Sequence, residues 1–114
     1  MKLSVEEYQT CHVATFFFRP TGLGQHRIAL HIQDKLEGLG ALAGPTNRSG
    51  YTPMTTAAGT EFDLSTEEMV VLAAALDQGY EGGAYEAGVA RFVPSLIDRL
   101  RTPAQSPDAK VVGS

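Results

Sequence analysis

The chain has 114 residues, of which 43% are hydrophobic and 19% charged, with a formal net charge of −4. That length suits one domain able to bury roughly two thirds of its unfolded surface, and the balance excludes the polar, highly charged make-up of disorder. Residues 1–48 carry five Lys and Arg against four Asp and Glu, and residues 49–114 carry four against nine, so the acidic second half repels nucleic-acid phosphates and disfavours duplex binding.

The single cysteine, Cys11, can form no intrachain disulfide, which makes a reducing, cytoplasmic setting the expectation. Glu6 and Glu7 stand where a signal peptide needs an unbroken apolar run. No stretch approaches the ~20 apolar residues of a membrane span, so neither export nor membrane insertion is expected.

Ser4-Val5-Glu6-Glu7 has the spacing of a capping box, with Leu3 and Tyr8 as its hydrophobic staple. Val5, Tyr8, His12, Val13, Phe16 and Phe17 then recur at helical spacing, which predicts a first helix over about residues 4–18, stopped by Pro20. The β-branched and aromatic residues of 13–18 leave a strand there as the alternative. Ile28, Ile32, Leu36 and Leu39 form one stripe of a second helix, about residues 24–37, with Gly38 and Gly40 to end it.

Residues 38–59 hold five of the twelve glycines together with Pro45 and Pro53, too many breakers for a helix. Thr60 to Leu64 alternates polar and apolar as a half-buried strand does. Its natural partner across the Ala58-Gly59 turn is 51–56, a hairpin in which Pro53 suits only an edge. Ser65-Thr66-Glu67-Glu68 is a second capping box, predicting a third helix over about 66–77 that stops at Gly79. Val89, Phe92, Val93, Leu96, Ile97 and Leu100 specify the apolar face of a fourth, which Pro94 bends near Ala90 or restarts. Residues 1–101 are thus expected to form one globular domain and 102–114, with two prolines and no periodicity, a mobile tail.

The expected fold class is therefore α+β and mainly helical, with about four helices and a short antiparallel hairpin between the second and third. That order lacks the strand between first and second helices of a winged helix, and no basic recognition helix is evident.

No spacing marks a catalytic, metal or cofactor site, and none is assigned. Cys11 and His12 are neighbours, but adjacent residues on a helix point about 100° apart, so they cannot face each other as a dyad. His12 lies on the apolar stripe and reads as a packed histidine with a hydrogen-bond partner. His26 and His31 are five apart, where two ligands on one helical face need three or four. Glu81 and Glu86 flank a glycine-rich link that reads as solvated.

Two candidate surfaces remain. Arg19, Gly22, Gly24, His26 and Arg27 form a glycine-containing loop that opens a helix, and Arg48 sits in a polar loop over 45–51. Together they suggest an anion or nucleotide site, or a cofactor-free enzyme, as the alternative function. The leading expectation is a non-enzymatic protein-interaction module, an adaptor, immunity-type or regulatory partner. Residues 69–76 are apolar around the whole helix and Phe16-Phe17-Phe18 spreads three rings over more than half a turn. Either the third helix is central, or part of it and the Phe run meet another protein or a second copy, with Phe16, Phe17, Phe18, Met69, Val70 and Leu72 as the interface.

Overall fold

The computed structural model describes residues 1–83, 85 and 87–101, the side chain of Val89 excepted. Glu86 and the expected tail 102–114 lie outside the described residues.

Ser4 caps α1 (Val5–Phe17) as its sequence requires: its hydroxyl accepts from the Glu7 amide at 3.1 Å and the Glu7 carboxylate accepts from the Ser4 amide at 2.9 Å. The helix runs through Val13 to Phe17, which settles the helix-or-strand alternative in favour of helix. Its buried face includes Tyr8, Cys11, Ala14 and Thr15, at helical spacings of three, three and one, so packing of this face holds the helix through a run whose own residues favour a strand.

α2 (Leu23–Leu39) is fixed by burial of Ala29, Ile32 and Leu36 and by the Tyr8 hydroxyl, which donates to the Leu36 carbonyl. Gly40 caps it. A Cβ on Gly40 would meet the Tyr8 hydroxyl and would lie 2.6 Å from the Thr55 carbonyl, so close approach, not a positive φ, demands glycine there.

β2 (Ala41–Leu42) pairs antiparallel with β3 (Met54–Thr55), giving the short hairpin between the second and third helices. Its strands differ from those expected. β4 (Thr60–Glu61) pairs instead with β1 (Lys2–Leu3), because Leu3 and Phe62, exposed by only 2% and 1%, anchor the N-terminus against this segment. Bonds from Phe62 to the Met1 carbonyl at 2.7 Å and from Gly59 to the Leu3 carbonyl at 2.9 Å extend the pairing. Such pairing of the first residues with the sixties is non-local and invisible to a turn-based reading.

Ser65 and Glu68 close the second capping box at the start of α3 (Thr66–Glu81). The helix passes through Gly79, where it was expected to stop, and is capped at Gly82. Tyr85 explains the glycine: its hydroxyl donates to the Leu76 carbonyl at 3.1 Å and would lie 2.5 Å from a Cβ on Gly79. The fourth helical stretch is divided into α4 (Ala87–Ala90) and α5 (Val93–Arg101), so of the two alternatives for Pro94 the structure has the restart and not the bend. Pro94 is the second residue of α5, where its missing N–H costs no helical hydrogen bond.

α3 is the central element, packed by α1, α2 and α5. Its Val71, Leu72, Ala75 and Leu76 join Ile32, Leu36, Phe62, Leu96 and Leu100 in one core, each large side chain contributing about 1.5–3 kcal/mol by burial. Most of the apolar excess of residues 69–76 is thereby absorbed within the chain. Arg99 then ties α5 to the N-terminus, donating to Glu7 Oε2 at 2.8 Å and to the Lys2 carbonyl at 2.5 Å.

Candidate functional site

The groups with most chemical potential form a buried line. His12, 2% exposed, places Nδ1 2.7 Å from the Tyr51 hydroxyl and Nε2 3.1 Å from Glu37 Oε2. The line is satisfied with Nε2–H donating to Glu37 and Nδ1 accepting from Tyr51. Tyr51 reaches this position through an Asx turn: Asn47 Oδ1 accepts from the Ser49 and Tyr51 amides, and the Asn47 amide donates to the Tyr51 carbonyl. Burial, reinforced by Tyr8 and the Glu37 carboxylate, pushes the Tyr51 phenol up to about 12, so it remains a neutral donor.

Cys11, fully buried on another face of α1, is pushed up to about 12 by burial and by the Glu7 carboxylate, against an opposite pull from Arg99. A thiol held so far from its thiolate is no nucleophile. With both imidazole nitrogens engaged and out of solvent, the line joins α1, α2 and the 47–51 loop rather than presenting a base to a substrate.

A second clamp was not legible in the sequence, which marks Glu68 only as a helix cap. Its Oε1 accepts from the Ser65 amide at 2.8 Å and from Lys35 Nζ at 2.6 Å, while His31 Nδ1 lies 2.8 Å from Oε2. Burial raises the Glu68 carboxyl, but the Lys35 and Ser65 hydrogen bonds and the Lys35 and His31 charges outweigh it and hold the group below the ordinary value. His31 and Lys35, four apart on α2, thus grip α3 through one carboxylate.

The expected interface residues part company. Phe16 and Phe17 are each 37% exposed, edge-on to one another at 4.9 Å, with Phe16 also edge-on to Tyr51 at 5.1 Å. Phe18 packs partly against the core. Leu72 is wholly buried inside the chain as part of the core, so it is corrected from interface to core: it has no surface to offer a partner. Met69 is half-buried and Val70 is 65% exposed.

Val70 stands over a groove of about 540 Å³ between α3 and α5, lined by Thr66, Met69, Val70, Ala73, Ala74, Leu100 and Arg101. Phe17 lines a different pocket, of about 530 Å³, with Arg19, Gln78, Gly79 and Gly82. At about 100° per residue, Gly79 and Gly82 lie about 180° and 120° around α3 from Val70. The aromatic edge and the α3–α5 groove are therefore separate flanks of the molecule.

The residues of the expected anion site are spread over three settings. The Arg19 backbone is held by the Gln78 side chain, through bonds of 2.7 and 3.1 Å. His26 and Arg27 stand exposed early in α2, and Arg48 in the 45–51 loop. No hydrogen bond, ion pair or ring contact among the described residues joins Arg48 to Arg19, His26 or Arg27. Gly22 is extended, with φ −175, and a Cβ on Gly22 or Gly24 would meet nothing within 4 Å, so neither glycine is required by a close ligand-cradling turn.

Among the described residues no three metal-ligating side chains converge, and no helix is long and apolar enough to cross a membrane. No family model, curated protein or solved structure matches the chain.

Proposed function

We propose that this chain is a non-enzymatic protein-interaction module, an adaptor or immunity-type or regulatory partner working in a reducing compartment such as the cytoplasm. One observation carries the reading: Val70, 65% exposed, stands over an apolar groove on the helix that is otherwise the centre of the core. Leaving a large apolar side chain in water forgoes about 1.5–3 kcal/mol, and unlike Leu42, 71% exposed on β2, Val70 has a groove beside it lined by Met69, Ala73, Ala74 and Leu100 into which a partner's apolar side chains can pack. The sealed state of His12, Tyr51 and Cys11 supports the same reading, since the side chains best suited to acid-base or nucleophilic work are turned inward.

The test is a photo-reactive benzoylphenylalanine in place of Val70, in the full chain made in its own cells, with the same replacement at Leu42 for comparison. Leu42 is 71% exposed on β2 and lines none of these pockets. A discrete protein adduct from position 70, absent from position 42, is the expected result. Absence of any adduct from position 70 contradicts the reading.

A further inference from the structure

The solvent face of α3 sets, beside the groove, a row of acids that form no ion pair among the described residues. Glu67, Val70, Ala74, Asp77, Gln78 and Glu81 are exposed or half-exposed and fall within an arc of about 100° around the helix. α3 contains no Lys or Arg. Its fourth acid, Glu68, is turned inward and held by Lys35 and His31, whereas Glu67, Asp77 and Glu81 form no ion pair with a described residue. Among the described residues Arg101 is the one charged side chain that lines the groove itself; the three acids border it, and Glu67 also lines a neighbouring pocket with His31 and Lys35.

From this juxtaposition we infer that the groove receives an amphipathic helix of another protein, whose apolar side chains settle over Ala73 and Ala74 beside Val70 and whose Lys or Arg side chains meet Glu67, Asp77 and Glu81. The inference rests on the interaction-module reading and adds the chemistry of the partner. The groove walls are themselves helices, with backbone donors and acceptors already paired. An extended strand would find no ladder there, while a helix brings its own hydrogen bonds and needs only an apolar face. The exposed face from Thr66 to Glu81 runs about 22 Å at 1.5 Å per residue, the length of a partner helix of about four turns.

Charge also selects against a second copy of this chain. A two-fold antiparallel crossing centred on Ala74 sets Glu67 of one copy opposite Glu81 of the other, and a parallel crossing stacks each acid on itself. Like charges brought together at an interface oppose association, whereas a basic partner turns the same three carboxylates into attraction.

The probe is a fluorescent 18-residue peptide of Leu and Lys in amphipathic helical order, compared with its counterpart carrying Glu for Lys, each titrated with the full chain. Binding is read by anisotropy and its location by amide chemical-shift changes. The Lys peptide is expected to bind at least tenfold tighter than the Glu peptide, with shifts concentrated in 66–81 and 93–101. Val70→Lys, at an exposed position that leaves the core intact, weakens it at least tenfold, as does the pair Glu67→Lys and Glu81→Lys. Leu42→Lys adds the same charge on β2 and changes the affinity less than threefold. Equal binding of the two peptides, shifts centred elsewhere, or equal effects of Val70→Lys and Leu42→Lys would overturn the inference. An adduct from position 70 to a second copy of the chain, or to a partner segment without basic residues, also overturns it while leaving the interaction module standing; no adduct at all removes both.

Discussion

The His12 imidazole and the Tyr51 hydroxyl meet at 2.7 Å in the interior although 39 residues separate them in the chain. Tyr51→Phe keeps the ring and its contacts with Phe16 and Phe17 but strips Nδ1 of its partner. An orphaned buried group costs about 1–3 kcal/mol, so the variant is expected to unfold at correspondingly lower urea. Glu37→Gln, at a side chain 45% exposed and able to accept from Nε2–H, is expected to cost less than half as much.

Two glycines separate a rigid from a yielding close approach. At Gly40 the added Cβ of Gly40→Ala meets the Thr55 backbone carbonyl as well as Tyr8, and overpacking of that kind costs about 1–3 kcal/mol. At Gly79 only the far end of Tyr85 is in the way. Gly79→Ala gains about 1 kcal/mol of helix propensity and gives up a hydrogen bond of about 0.5–1.5 kcal/mol, so its stability stays within about 1 kcal/mol of the parent. Thermal unfolding of the two variants side by side checks both expectations.

The clamp on Glu68 sets part of the acid sensitivity. Its carboxyl titrates lower in the folded chain than in the unfolded one. The stability it contributes is therefore complete above the ordinary glutamate value of about 4.3 and is lost as pH falls through the lowered folded value. Glu68→Gln retains an acceptor for the Ser65 amide but cannot ionise. Its unfolding free energy, measured against pH below about 5, is expected to fall less steeply than that of the parent.

Cys11 is expected to be silent toward thiol reagents in the native chain, since it is wholly buried and its thiol is pushed up to about 12. Colorimetric thiol titration should find no reactive group within minutes under native conditions and one per chain in denaturant. Rapid native reaction would mean that α1 opens readily from the core.

What the sequence made legible was local. Both capping boxes follow from a spacing of three residues, and the structure reproduces them. The stripes were legible only in part: Ile32 and Leu36 of α2 are buried but Leu39 is exposed, and of the α1 stripe Tyr8 and His12 are buried while Phe16 and Phe17 stand exposed and Cys11, Ala14 and Thr15 face the core instead. The pairing of Lys2–Leu3 with 60–61 was not legible, because two-residue strands carry almost no alternation and their register is set by Leu3 and Phe62 in a shared core. Gly79 misled for a related reason: its absent side chain makes room for Tyr85, a tertiary demand that mimics a local stop signal. His12 could be read as packed, but its partners come from α2 and the 47–51 loop. The apolar excess of α3 was visible; which flank stays uncovered depends on where α1, α2 and α5 pack, so Val70 could not be told from Leu72.

With Cys11 buried, a single surface thiol can report on the α3–α5 groove. Val70→Cys, treated with a cell-permeant maleimide in intact source cells and again after purification, compares the covered with the bare surface. If a partner occupies the groove, labelling is at least tenfold slower in cells than on the purified chain, while Leu42→Cys reacts alike in both. Equal rates at position 70 inside and outside the cell would contradict a groove that serves as a binding surface.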